Sequence, residues 1–91
     1  MSTTLRIDKW LWFARFCKTR SQAQRLLDDG MVTVNGRLVD KSSAVMPGDE
    51  IVVPFGHHAE TRTVRRLRVV ALGERRGSAA IARLLYEELL P

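Results

Sequence analysis

Residues Val32 to Val39 read VTVNGRLV, and no other stretch of the chain narrows its fold as sharply. Asn35-Gly36 supplies the two positive-φ residues of a type I′ turn, and β-branched or aliphatic residues flank it on both sides. A two-residue hairpin is therefore predicted. A lone hairpin is marginal in water, so other segments must extend it into a sheet and cover one face. Upstream, Ile7, Trp10, Leu11, Ala14 and Cys17 fall at the i, i+3, i+4, i+7 steps of one helix face, which predicts a helix from Leu5 to Cys17. Thr19 then serves as an N-cap with Gln22 three residues on, and a second helix is predicted from Arg20 to Asp29. Ala23, Leu26 and Leu27 form its inner face, and Gly30 ends it in the left-handed conformation.

Downstream of the hairpin, Lys41-Ser42-Ser43 reads as a loop and Pro47-Gly48-Asp49 as a turn. Ile51-Val52-Val53 reads as a short strand closed by Pro54. Phe55 to Glu60 is expected to be a loop. Thr61 to Leu72 is expected to be a long strand, with a bulge where its alternation slips between Val64 and Leu67. Ser78 can cap a last helix carrying Ile81, Leu84, Leu85 and Leu89. The fold class is α+β: two short helices packed on a small, mostly antiparallel sheet, plus a C-terminal helix. With 91 residues this is one domain, whose core is residues 5–54 and whose extension of strand and helix is residues 55–91.

Composition bounds the function. The formal charge is +5, and twelve of the fifteen cations are Arg, whose planar fork can hold a phosphate through two parallel hydrogen bonds. Between Leu5 and Arg25 six cations (Arg6, Lys9, Arg15, Lys18, Arg20, Arg25) face Asp8 alone, a local +5 in 21 residues. A second basic stretch holds Arg62, Arg65, Arg66, Arg68, Arg75 and Arg76. A polyanion partner is the leading reading; the plain alternative is a solvated, Arg-rich surface. The single Cys17 excludes an internal disulfide and is expected to be a small core residue. No apolar run reaches the length of a membrane span and the N-terminus has no secretory signal pattern, so no membrane partner and a cytoplasmic location are expected.

Two places could carry the binding chemistry. Lys9, Trp12, Phe13 and Phe16 project opposite the Ile7/Leu11/Ala14 stripe, with Arg6 and Arg15 beside them. Either Leu84, Leu85 and Leu89 fold back to cover these rings, or the rings accept unstacked bases. At the helix junction, Lys18, Thr19, Arg20 and Ser21 gather where unpaired N–H groups and the helix dipole favour an anion, with Gln24 and Arg25 within a turn. The alternative there is ordinary capping by Thr19 with solvated Lys18 and Arg20. Catalysis finds no support. His57-His58 has only Glu60 nearby and cannot complete a zinc site, and no glycine loop of the phosphate-cradling type exists. No enzyme activity, metal or cofactor is expected.

The string RIDKWLWFARFCKTRSQAQRLLDDGMVTVNGRLVDKSSAVMPGDEI resembles the RNA-binding domain of ribosomal protein S-four, the alpha-L motif, through its R-I-D opening, K-T-R-S, Gly-ended helix, V-T-V-N-G and P-G-D in order. KWLWFARFCKTR and LLYEE resemble more narrowly the bacterial ribosome-associated heat-shock protein fifteen family. That resemblance implies a binder of structured RNA in stress-related rescue or recycling of stalled ribosomes, and a monomer is expected. Its target would be ribosomal RNA of the large subunit, with tRNA as a further partner and DNA still open. The implied RNA surface is Arg6, Lys9, Arg15, Lys18, Thr19, Arg20, Ser21, Gln24 and Arg25, with Asn35, Arg37 and Lys41 from the hairpin side. Asp8, at the motif's acidic position, is expected to cap the first helix and orient Arg15 or Arg37. Members of the heat-shock family continue into a long basic helical extension, whereas this sequence stops at Pro91. Two rival readings stay open: a targeting subunit for an RNA-modifying enzyme, and an interaction module for an acidic protein.

Overall fold

The computed structural model describes residues 3–55 and 63–89. Strand β1 (Leu5–Arg6) leads directly into helix α1 (Ile7–Phe13), and a short irregular stretch precedes α2 (Arg20–Asp28). The hairpin β2 (Thr33–Val34) and β3 (Arg37–Leu38) follows, then β4 (Ala44–Val45), β5 (Glu50–Phe55) and β6 (Thr63–Val69). A short helix α3 (Ala79–Ala82), a 3₁₀ turn over Arg83–Leu85 and β7 (Tyr86–Leu89) end the described chain. Strands β3-β2-β5-β6-β7 form one antiparallel sheet in that order, and β1 pairs with β4 as a separate two-stranded piece. The α+β class is as the sequence implies.

The local signals behave as their chemistry requires. Asn35 (φ 52°) and Gly36 (φ 82°) make the tight turn, pairing Val34 with Arg37. Gly30 (φ 69°) closes α2, with Gly30 N–H donating to Leu27 O and Met31 N–H to Leu26 O, a Schellman pattern. Thr19 Oγ1 accepts from Gln22 N–H, and Gln22 Oε1 accepts from Lys18 N–H. The reciprocal bond thus reaches one residue further back than a capping box. Gly48 (φ 100°) completes the turn after Pro47, where Asp49 N–H reaches Met46 O.

Four expectations need correction, and each turns on tertiary pairing. The first helix is shorter than Leu5 to Cys17: Leu5 and Arg6 pair with Val45 and Ala44 as strand. At its other end Arg15 takes φ 64°, with Arg15 N–H on Trp12 O and Phe16 N–H on Leu11 O. This is the same capping pattern as at Gly30, built without glycine, so no sequence signal marks it. Strand β5 runs through Pro54 to Phe55; β2 ends opposite Val52, so Pro54 has a paired neighbour only in β6, the kind of edge position proline tolerates. Strand β6 has no bulge, since its register with β5 is unbroken from Arg68 to Thr63. The apparent slip arises because Arg65 takes the position that Leu67 and Val69 continue. Lastly, the final helix stops within two turns, and Tyr86–Leu89 becomes an outer strand against β6. The expected loop over Phe55 to Glu60, with His57 and His58, lies outside the described residues apart from Phe55.

The core is continuous across both parts of the chain. Ile7, Trp10, Leu11, Ala23, Val32, Val45, Ile51, Val53 and Leu67 are fully buried, with Phe13, Ala14, Cys17, Leu27, Val69 and Leu85 nearly so. All five residues of the predicted α1 stripe are inside; Phe13, expected on the opposite face, is buried as well. Trp10 Nε1 donates to Ala71 O at 2.9 Å and so ties α1 to the segment after β6.

Candidate nucleic-acid interface

Two of the six cations between Leu5 and Arg25, Arg6 and Arg20, converge on one carboxylate. Asp8 lies in the first turn of α1 and is fully buried. Its Oδ1 accepts from Lys9 N–H (2.8 Å) and Arg6 Nε (3.2 Å). Its Oδ2 accepts from Arg6 Nη2 (3.2 Å), Gln24 Nε2 (2.9 Å) and Arg20 Nε (3.3 Å). Burial raises the pKa of this group, but the Gln24 hydrogen bond, the Arg20 charge and the hydrogen bonds from both arginines outweigh it, holding the carboxyl below its ordinary value. Asp8 is therefore ionised at neutral pH. The expectation that it caps α1 and orients Arg15 or Arg37 holds in part: Asp8 satisfies the first-turn Lys9 N–H, but the N-cap position is Arg6, without a side-chain bond, and the residues Asp8 orients are Arg6, Arg20 and Gln24.

Beside Asp8's partners lies the loop after the hairpin, and a second group of predicted residues lies at the start of α2. Arg6 Nη2 also donates to Lys41 O (3.3 Å), bringing the loop after the hairpin alongside, and Lys41 Nζ lies 3.8 Å from Asp28. Lys18, Thr19, Ser21, Gln22 and Arg25 line an open depression of about 330 Å³ at the start of α2. Cationic side chains, a hydroxyl-capped helix start and exposed N–H groups are the components that hold a phosphate without chemistry.

Other predicted residues go elsewhere. Arg15 Nε donates to Gly77 O at 2.8 Å, on the side of the C-terminal segment. Lys9 sits 5.5 Å from the centre of the Phe13 ring. The Asn35 amide is committed to the fold, donating to Asp49 Oδ1 and accepting from Glu50 N–H. Arg37 is exposed on β3. The aromatic face is covered, with the expected leucines only partly involved: Leu85 is buried in the same core cluster as Phe13, Leu84 is exposed, and Phe16 lies between Trp10, Tyr86 and the Arg65 guanidinium. Trp12 lies under Arg76, which also donates to Trp12 O.

In the second basic stretch the three arginines of β6 are paired with carboxylates. Arg65 pairs with Glu88, and Arg66 and Arg68 both pair with Glu50. Burial pushes the Cys17 thiol up to about 11, so it is a core residue and a poor nucleophile. Among the described residues no group of three or more potential metal ligands occurs and no helix is long and apolar enough to cross a membrane.

A helix pair with a cationic junction beside a tight hairpin defines a class of small RNA-recognition modules, and comparison with known proteins agrees with that class. The S4 domain family matches residues 5–51, just over half the chain. The chain is 44% identical over 87 residues to the heat shock protein 15 homolog of Aeromonas salmonicida, covering 96% of this chain and 62% of that one. It is 36% identical over 86 residues to the RQC P-site tRNA stabilizing factor of Bacillus subtilis, covering 94% and 98%. Among solved structures, the trimeric heat shock protein 15 of Vibrio cholerae superposes with a TM-score of 0.85 at 35% identity, covering 94% of this chain and 82% of that chain. The chain belongs to the S4-domain family. It spans about three fifths of the length of the heat shock protein 15 relatives.

Proposed function

We propose that this chain is a non-catalytic, cytoplasmic RNA-binding protein that grips structured RNA with the α1–α2 junction and acts in the rescue of stalled ribosomes. Ribosomal RNA of the large subunit is the proposed target, with the surface made by Arg6, Lys18, Thr19, Arg20, Ser21, Gln24, Arg25 and Lys41. The observation that carries this reading is the contrast between the two basic stretches. Carboxylates pair with the arginines of β6, whereas Lys18 and Arg25 at the junction have no ion pair among the described residues and line an open depression. Backbone phosphates would be met in register, with little reading of base identity. The relatives named as heat shock protein 15 and as a P-site tRNA stabilizing factor support the ribosomal setting, and the second name favours tRNA as an additional contact. Residues 5–54 and 55–91 are proposed to form one folding unit; the expected monomer finds no support, since the similar Vibrio cholerae protein is trimeric in its solved structure. Arg15, Lys9, Asn35 and Arg37 are assigned peripheral parts.

The test is binding of fragmented large-subunit ribosomal RNA and of tRNA. Lys18→Ala and Arg25→Ala are each expected to weaken binding several-fold while circular dichroism stays at the wild-type signal. Wild-type affinity in both variants would remove the junction from the site. Sedimentation of a lysate on a sucrose gradient distinguishes the rivals: comigration with large subunits supports the proposal, and comigration with a catalytic chain supports a targeting subunit.

A further inference from the structure

The buried acid in the middle of a cationic surface invites a question of sign. A carboxylate beside a phosphate-binding patch should weaken anion binding by Coulomb repulsion alone. Asp8 nevertheless lies among the cations of the site, completely enclosed, and takes five hydrogen bonds. The way those bonds are distributed is informative. Arg20 touches Asp8 only through Nε, and the structure gives both its Nη groups no partner among the described residues. Arg6 uses Nε and Nη2, the latter also on Lys41 O, and its Nη1 has no partner among the described residues. Their side chains remain 40% and 48% exposed. Arg6 is thus held through two atoms of one edge of its fork and Arg20 through Nε alone, while both side chains stay partly exposed. Gln24, also on Asp8, fixes the second oxygen from the same helix face as Arg20.

We propose that Asp8 is a positioning residue for RNA binding: it locks Arg6 and Arg20 in one orientation so that their outer N–H groups meet phosphate oxygens already arranged. Free arginine side chains lose considerable rotamer entropy on binding, and a fork held before RNA arrives loses less. The gain from order at two arginines exceeds the repulsion from one enclosed charge, much of which its own partners neutralise. This inference rests on the proposed RNA-binding function and concerns the same surface.

Asp8→Asn separates the two effects by sign. The substitution keeps the shape and makes the net charge one unit more positive, so electrostatics alone gives tighter binding. Positioning gives weaker binding, by roughly threefold to tenfold for one or two charge-assisted contacts that lose their preset geometry. A double-mutant cycle adds a readout that a purely structural role does not move. Arg20→Ala should cost several-fold in the wild type and little in the Asp8→Asn background. Equal or tighter RNA binding by a folded Asp8→Asn variant overturns the proposal. If the variant does not fold, the free wild-type protein decides the matter through NMR of the arginine Nε–Hε groups. Ordered, slowly exchanging Arg6 and Arg20 signals support the clamp, and signals averaged like those of a solvated arginine side chain refute it. Should wild-type protein bind neither tRNA nor ribosomal RNA, the underlying function fails instead, a result distinct from either outcome for Asp8.

Discussion

Trp10→Phe tests whether the two parts of the chain are one folding unit. Trp10 is fully enclosed, stacks 6.3 Å from Phe16, and its indole N–H is bonded to Ala71 O at 2.9 Å, sixty-one residues away. Phenylalanine removes three heavy atoms and the donor. Lost apolar burial and the space left behind cost about 1 kcal/mol each. A carbonyl left without its partner costs about another 1 kcal/mol. The sum, about 3 kcal/mol, is a large share of the stability of a domain this small. A loss of that size lowers the melting temperature by roughly 12–24 °C for a chain of this length. Urea unfolding followed by both circular dichroism and tryptophan fluorescence (Trp12 remains) should give coincident single transitions, shifted together. Well below its melting point the variant should still bind RNA as the wild type does, because Trp10 is nowhere on the surface. A loss under about 1 kcal/mol, or two separate transitions, would contradict the single-unit reasoning.

Three further outcomes follow from particular contacts. Thr19→Ala removes the bond from Gln22 N–H at the start of α2 and should cost about 1 kcal/mol of stability in thermal unfolding, together with a measurable loss of RNA affinity. Asp8 has a folded-state pKa below its unfolded value, so its contribution to stability is complete above about pH 4 and is lost as pH falls through the lower value. Asp40, held down mainly by the Ser42 hydroxyl, and Glu88, held down mainly by Arg65, shift in the same direction. The Asp8 part therefore emerges as the difference between acid denaturation of wild type and of Asp8→Asn. Gly36→Ala places a side chain at φ 82°, where space is open but the backbone is strained, and should lower stability by about 1–2 kcal/mol in urea titration with the RNA salt dependence unchanged.

How much of this was legible in the sequence follows from the range of each interaction. The hairpin turn at Asn35-Gly36, the Thr19 cap, the Gly30 stop and the turn at Pro47-Gly48 are decided within a few residues, and all four read correctly. The helix face Ile7, Trp10, Leu11, Ala14, Cys17 did too, since burial follows periodicity even where the helix itself has ended. Features set by distant partners were hidden. Leu5–Arg6 becomes strand only because Ala44–Val45 lies beside it, and Tyr86–Leu89 because β6 offers an unpaired edge. Arg15 in a left-handed conformation carries no glycine to announce it.

The candidate site shows the same division. The clustering of cations from Arg6 to Arg25 was visible as charge, but which of them act together was not. That depends on Asp8 facing Gln24 and Arg20 across two helices and on Arg15 turning towards Gly77. Arg65 is the counterpart on the sheet. It occupies an inward position of β6 and reads as a break in the pattern, because its stem and planar head lie against Phe16 where an aliphatic residue was expected.

The most direct measurement is the salt dependence of RNA affinity for three proteins: wild type, Lys18→Ala/Arg25→Ala, and Arg66→Ala/Arg68→Ala. The wild type should show log affinity falling linearly with log salt, with a slope of about −3 to −6 for roughly 4–7 phosphates. Loss of the two junction cations should make that slope shallower by about 1–2, whereas loss of two arginines already paired with Glu50 should leave it nearly unchanged. A wild-type affinity indifferent to salt, or a slope that responds to the sheet arginines and not to the junction, would contradict the account.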